Sequence, residues 1–298
     1  MKYTLKQLEV FLATAQKQNI TQAADALAMS QSAASSALKE LEQQFDTQLF
    51  DRIGKRLKLS EHGRHIRPLA QSLLEQAHEL ESHLAGKTET GELKVGATLS
   101  IGNYLAVELI AEMLDQQQDL KVDLQVANTS KIAERVLNFD LDIGLVEGEV
   151  SHPQLEIIPW RSDKLVVFTT VSHPLAQKQA KQKSLSTEDL LDQPWILRES
   201  GSGTRQGFDR VMHDVLSELN IRFELQHTEA IKRAVESNLG IGCLSEITLQ
   251  EAFKRKSLVP LEITDRNFSR QLYFVLHKDK YHSLALKRWM ELCNDFNV

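Results

Sequence analysis

The stretch ITQAADALAMSQSAASSALKELEQQF, Ile20 to Phe45, reads as a helix, a short turn and a second helix, and it constrains this chain more than any other segment. In the second helix Ala34, Leu38, Leu41 and Phe45 recur at spacings of 4, 3 and 4, which puts them on one buried side. Gln31, Ser32, Ser35, Ser36 and Lys39 then point the other way. A face of short hydroxyls and amides gains little inside a protein. It suits a major groove, where short donors and acceptors can approach base edges. Thr21 and Gln22, opening the first of the two helices, and Ser30, opening the second, complete the set expected to face DNA. Taken alone, an ordinary amphipathic helix with a solvated face explains the same pattern.

The following segment, LFDRIGKRLKLS from Leu49 to Ser60, favours the DNA reading. Gly54 separates two short runs, and Arg56-Leu57-Lys58-Leu59 alternates basic and apolar residues as a half-exposed strand does. A hairpin carrying Arg52, Lys55 and Arg56 directly after a helix-turn-helix is a wing, and its cations are expected on phosphates, where they set affinity and register. Residues 52–67 hold six Lys or Arg against one acid, Glu61. A solvated charged turn would explain that charge but not its position.

Charge is distributed unevenly. Residues 1–87 carry eleven Lys or Arg and ten Asp or Glu, so of the net charge of −6 the remaining 211 residues carry −7. DNA affinity must therefore come from a local patch, while the acidic remainder resists non-specific sticking. Cys243 and Cys293 match no metal or redox spacing and read as buried, reduced thiols. There is no signal-peptide pattern and no apolar run long enough to span a bilayer, so a cytoplasmic protein is expected.

Three domains are expected over the 298 residues: a winged helix-turn-helix over 1–59, a linker helix and hinge over 60–90, and an α/β domain over 91–298. An N-terminal helix over 4–17 places Leu5, Leu8, Phe11 and Leu12 on one face. In the linker, Ile66, Ala70, Leu73, Ala77, Leu80 and Leu84 form a heptad-like seam that predicts a homodimer, with packing on the chain's own body as the alternative. Pro68 should loosen this helix near its start, and GKTETG at 86–91 breaks it. Beyond Glu92, strands and helices alternate as βαβαβ, which predicts a parallel sheet with helices on its faces. The pattern suggests two similar α/β subdomains, the first over about 91–161 and 266–298 and the second over about 162–265. Ligands in such folds sit at the carboxyl ends of strands, between the two.

Three strand ends converge on that cleft. Thr98 and Ser100 open a helix, where hydroxyls and free amides can either bind an anion or simply cap. Glu147 ends an apolar strand, and there it touches ligand, neutralises a cation or reaches water. Gly201-Ser202-Gly203-Thr204-Arg205 offers amides, hydroxyls and a guanidinium, a small-oxyanion nest that is neither a Walker loop nor GxGxxG. No HExxH, GxSxG or paired-carboxylate constellation accompanies them, so no enzyme is expected; His152, His173 and His227 read as surface residues.

The run QLEVFLATAQKQNITQAADALAMSQSAASSALKELEQQFDTQLFDRIGKRLKLSEHG resembles the DNA-binding region of LysR-type transcriptional regulators in its helix spacing, its Leu-Phe-x-Arg wing entry and its basic Leu-x-Leu-Ser stretch. The rest follows that family's order of linker helix and two-part, periplasmic-binding-like effector domain. The chain is most similar to a YeiE-like branch near the CysB and CbbR groups, through the stretches 100–104, 142–148, 194–205, 229–232 and 240–245. The resemblance implies a homotetramer on double-stranded operator DNA. It also implies no cofactor, and a small effector between the subdomains, with sulfite or a related oxyanion as the candidate and a different small metabolite as the alternative. The family's usual pocket maps here to Thr98, Ser100, Asn128, Thr204 and Arg205, with Glu147 beside them. Ser36 stands where many members place an Arg, and Lys39 lies nearby instead. An α/β enzyme with an accessory DNA-like module is the rival from another class, and a solute-binding protein is a second.

Overall fold

The computed structural model describes residues 2–296 apart from Lys55, 86–90, Gln118 and 182–183; the wing Lys55 and nearly all of the expected hinge thus fall outside the described residues. The chain divides into two compact units. One comprises Met1–Leu93, Asp119–Lys121 and Lys278–Trp289, and the other Lys94–Gln118, Val122–His277 and Met290–Val298.

The first unit opens with α1 (Leu5–Lys17), α2 (Ile20–Ala26) and α3 (Gln31–Gln44), each started by a side-chain cap. Thr4 and Gln7 form a reciprocal capping box on α1, Asn19 accepts from the amides of Thr21 and Gln22, and Ser30 accepts from Ala33 N. Such caps satisfy amides that a helix start leaves open, each contributing about 0.5–2 kcal/mol. The wing follows as an antiparallel hairpin, β1 (Phe50–Ile53) and β2 (Arg56–Leu59), and then α4 (Glu61–Leu84). Val10, Phe11, Ala23 and Ala34 are fully buried, and the rings of Phe11 and Phe50 meet edge to face at 5.6 Å. Phe45, expected on the buried side of α3, is half exposed at the helix end, 6.3 Å from the Tyr3 ring; the chain turns away before that position reaches the core. Leu5 is likewise exposed, whereas Leu8 and Phe11 are buried as expected.

Helix α4 divides its apolar residues between two tasks. Ala70 and Leu74 are buried in the core of this unit, with Ile66 and Leu73 packed partly against it. The expected continuous seam is therefore already spent on the chain's own body over its first half. Leu69, Leu80 and Leu84 are exposed. Pro68, expected to loosen the helix, is buried inside it without ending it. The segment Lys278–Trp289 joins this unit where Lys280 pairs with Glu75 and Tyr281 donates to Glu79 at 2.8 Å.

The remaining elements run β3 (Gly91–Ala97), α5 (Leu99–Ile101), one π-helical turn (Gly102–Ala106), α6 (Val107–Gln116), β4 (Leu120–Val126), α7 (Thr129–Leu137), β5 (Ile143–Val146) and β6 (Leu155–Thr169). Then follow α8 (Pro174–Ala180), α9 (Glu188–Leu191), β7 (Pro194–Arg198), α10 (Gly203–Val211), β8 (Asn220–Leu225), α11 (Thr228–Glu236), β9 (Ile241–Ser245), α12 (Glu246–Lys254), β10 (Val259–Leu261), β11 (Ser269–His277) and α13 (Leu284–Asp295). The strands lie in the order β4-β3-β5-β11-β6-β9-β7-β8, with β10 paired to β6. The sheet is mixed, not parallel as expected. β3 and β5 pair in parallel, as do β7 with β8 and β9, but β6 and β11 run antiparallel to their neighbours. The sheet thus has two lobes, one around β3, β4 and β5 and one around β7, β8 and β9. The fifteen residues of β6 pass through both.

A close approach in the first unit yields a test. A Cβ added at Gly63 would fall 2.1 Å from the Leu49 carbonyl oxygen, which is backbone and cannot swing aside. Gly63→Ala should push α4 off the wing and cost about 1–3 kcal/mol or more, measured by urea unfolding; an unchanged midpoint would contradict this packing.

Candidate functional site

The helix-turn-helix presents its polar face outward. Thr21, Gln22, Ser30, Gln31, Ser32, Ser35, Ser36 and Lys39 are exposed, as are Arg52 and Arg56 of the wing, while Ala34, Leu38 and Leu41 hold α3 from behind. The Ser30 hydroxyl, besides capping, lies 3.1 Å from that of Ser32. The result is a helix held from behind by its apolar side with its polar side chains exposed on the outer face, which is what reading base edges requires.

The second candidate site lies within the larger unit and is built on buried charge. Glu147 follows the wholly buried β5 and has a side chain 1% exposed. Its partner is Arg270, near the start of β11, 2% exposed, with Nη1 at 3.4 Å from Glu147 Oε2. Thr204, in the first turn of α10, donates to the same oxygen at 3.0 Å, and Arg270 Nη1 reaches the Thr204 hydroxyl at 3.3 Å. Behind them Asp163 of β6 takes the Arg270 Nε at 2.6 Å, and Ser245 donates to Asp163 at 2.9 Å. Burial by itself would push the Glu147 carboxyl up. The Arg270 charge, the hydroxyls of Ser100 and Thr204 and the more distant Arg198 outweigh it and hold the group below the usual carboxylate range. Glu147 is therefore an ionised carboxylate, and of the roles open to it from sequence the structure shows it neutralising a cation.

The structure gathers some expected pocket residues and not others. Ser100 lies beside Glu147 without a well-aligned hydrogen bond. Thr98 is buried with its hydroxyl unpartnered, as are the Thr129 hydroxyl and Glu147 Oε1. Asn128 caps α7 through Lys131 N at 3.1 Å and reaches Glu199 at 3.4 Å. Arg205 is elsewhere engaged. It holds Asp209 at 2.8 Å, the Arg198 carbonyl at 3.1 Å and Glu224. The cation that Glu147 meets is Arg270.

The lobes meet at this place. A Cβ on Gly203 would lie 2.4 Å from the Gly148 amide nitrogen, so only glycine lets the two backbones close. Gln206 accepts from the Glu149 amide at 2.7 Å, and Arg210 pairs with Glu149. A cavity of about 370 Å³ opens beside them, lined by Glu147, Gly203, Gln206, Arg210 and Tyr273 among others. Arg270 was missed in sequence but left a signal there. It is in phase with Leu272, Phe274 and Leu276 on the buried face of one strand, where a lone cation demands a buried acid. His173, expected at the surface, is also buried, capping α8, and burial lowers its pKa. Both cysteines are buried and free as expected.

Comparison with known proteins follows the same division. Residues 5–64 match the model for bacterial regulatory helix-turn-helix proteins of the lysR family, and residues 86–297 match the LysR substrate binding domain. The chain is 39% identical over 298 residues to the HTH-type transcriptional regulator YeiE of Escherichia coli K12, covering 100% of this chain and 99% of that protein. It is 31% identical to the regulator CysL of Bacillus subtilis strain 168, over 90% of this chain and 89% of the other. Among solved structures, a full-length OxyR variant of Pseudomonas aeruginosa superposes with a TM-score of 0.73 at 22% identity, covering 99% of this chain and 94% of that one. The regulatory domain of Synechocystis CcmR in complex with 2-PG superposes at 0.63 with 28% identity, covering 68% of this chain and 96% of that one. Helix-turn-helix, effector domain and full-length likeness agree: this chain belongs to the LysR family of DNA-binding transcriptional regulators and is not an enzyme.

Proposed function

We propose that this regulator responds to a small oxyanion, with sulfite as the candidate, taken up where Arg270, Thr204 and Ser100 meet Glu147, with Thr98 on the neighbouring strand end. One observation carries the reading: a buried guanidinium and the Thr204 hydroxyl converge on the buried Glu147 carboxylate, whose other oxygen has no hydrogen bond. These groups bind a carboxylate now, and the same donors suit any compact oxyanion. Glu147 is then an internal occupant. An oxyanion enters when Glu147 gives up Arg270, and that exchange repositions the strand end that contacts the second lobe. The 2-PG complex of the CcmR domain is a precedent for a small ligand in a related domain. The protein acts on double-stranded operator DNA in the cytoplasm. The exposed Leu69, Leu80 and Leu84 on α4 are covered by a second copy in a dimer, two of which make a tetramer. Sedimentation of Leu80→Glu with Leu84→Glu tests the dimer, which should dissociate; an unchanged oligomer would refute it.

The DNA assignment separates two kinds of residue. Arg52→Ala and Arg56→Ala should each weaken specific and non-specific DNA alike and lower the salt slope by about 1. Ser35→Ala and Lys39→Ala should instead change the preference among sequences by about 1–3 kcal/mol at the affected base pair. Fluorescence anisotropy across salt reads both, and a wing variant with an unchanged slope would reject the assignment.

For the effector, calorimetry with sulfite and sulfate should show binding that Arg270→Lys largely abolishes. Glu147→Gln should tighten it by about tenfold, since the competing charge is removed. Because Glu147 titrates below the usual glutamate value of about 4.3, sulfate affinity in the wild type should stay flat down to about pH 5 and rise only below that, as protonation frees Arg270. Glu147→Gln should lack the rise. Oxyanion binding that survives Arg270→Lys intact would overturn the proposal.

A further inference from the structure

Two stretches of the chain meet in the structure without a part in the site just described. Tyr104 lies on the π-helical turn Gly102–Ala106, immediately after the short helix that carries Ser100, in the first lobe. Glu229 and Lys232 lie on α11 in the second. Tyr104 Oη donates to Glu229 Oε1 at 2.6 Å, and Lys232 Nζ donates to Tyr104 Oη at 3.0 Å. Lys232 also pairs with Glu229 at 2.5 Å and is anchored in its own lobe by the Thr248 carbonyl at 3.0 Å. Its ammonium stands 5.6 Å from the centroid of the Tyr104 ring. The phenol is thus both donor and acceptor between an acid and a base, with each bond charge-assisted.

The charges in this cluster are fixed near neutral pH. Burial works against the Lys232 ammonium, but Glu229 and Tyr104 more than offset it and its pKa is raised. Burial, followed by the Glu229 bond, raises Tyr104, which stays a neutral phenol. Glu229 is well exposed, which limits what its ion pair alone contributes. The Lys232–Tyr104 half of the phenol bridge is more sheltered, because Lys232 is nearly buried. A π turn holds one residue more than an α turn, so its conversion to α geometry would rotate Tyr104 off α11. Single π turns of this kind recur at functional sites, and this one directly follows Ser100.

We propose that Tyr104, Glu229 and Lys232 form a clasp that sets how much of the unliganded effector domain is closed, so that Tyr104 tunes effector affinity without touching the effector. The proposal rests on the effector cleft described above, and it concerns closure in the absence of any ligand. A clasp of this kind raises apparent affinity by raising the fraction of molecules already competent to bind.

The test is a distance measurement on the full-length protein. Spin labels at Glu112→Cys on α6 and Ser237→Cys after α11 occupy exposed positions on opposite lobes. The native thiols are buried, with Cys243 pushed up to about 12 by desolvation, so they do not compete for the label. Labelled protein is diluted with unlabelled protein so that only distances within one chain are read. Without ligand, the otherwise native protein should give one dominant short distance. Tyr104→Phe keeps the ring and loses both bonds, and should raise the population at longer distance by about tenfold; Glu229→Gln, which keeps an acceptor, should raise it less. Added sulfate should return Tyr104→Phe to the short distance, with an affinity weakened in proportion to the lost closed fraction. If sulfate binds neither protein, the effector reading fails while the unliganded distances still decide the clasp. Unliganded distributions that are identical in wild type and Tyr104→Phe would overturn it.

Discussion

The larger unit is organised around one guanidinium. Arg270 is buried to 2% exposure and lies between two acids with buried side chains, Glu147 just after β5 and Asp163 from β6. An unpaired charge in that position would cost several kcal/mol, so neither acid can be withdrawn without consequence. Arg270 thus binds together elements far apart in the chain: the end of β5, the middle of β6, the start of β11 and, through Thr204, the first turn of α10. Three of these belong to the strands that cross between lobes or flank the crossing. A change at Glu147 is for that reason a change in how the lobes meet.

This accounts for the form of the sheet. Parallel pairing suits strands buried on both faces, and β5 and β9 are buried at every residue. The antiparallel strands β6 and β11 carry the buried charges Asp163 and Arg270, which face each other across their pairing. Gly148 and Gly203 bring the two backbones together over the same spot, and Tyr104 and Lys232 tie a second place between the lobes. In the smaller unit the logic is apolar. Phe11, Ala34 and Leu38 fix α3 from behind, and α4 commits Ala70 and Leu74 to that core while leaving Leu80 and Leu84 outside. Recognition helix and linker helix therefore share one core.

Much of this was legible in the residues and some was not, for physical reasons. The helix-turn-helix and wing could be read because local periodicity and caps determine them: the alternation of Arg56 to Leu59 and the buried Ala34, Leu38 and Leu41 are local facts. Phe45 misled because helical phase continues on paper after the chain has turned. The first half of β6 was invisible as a strand because Pro159, Arg161 and Asp163 interrupt its apolar alternation, and Asp163 makes sense only beside Arg270, more than a hundred residues later. Arg205 could be singled out because it sits in a recognisable glycine loop. In the structure it serves Asp209 and Glu224, and the cation that meets Glu147 comes from a strand whose loop neighbours carry no motif. Spacing along the chain identifies elements; it does not reveal which buried charges find each other.

Arg270 and Glu147 act as one buried pair. A double-mutant cycle of Arg270→Leu and Glu147→Leu, with unfolding in urea followed by tryptophan fluorescence, tests it most directly. Arg270→Leu alone should cost about 3–5 kcal/mol because both acids lose their partner. Adding Glu147→Leu should recover part of that loss, giving a coupling of about 1.5 kcal/mol or more. Two single effects that simply add would contradict the account.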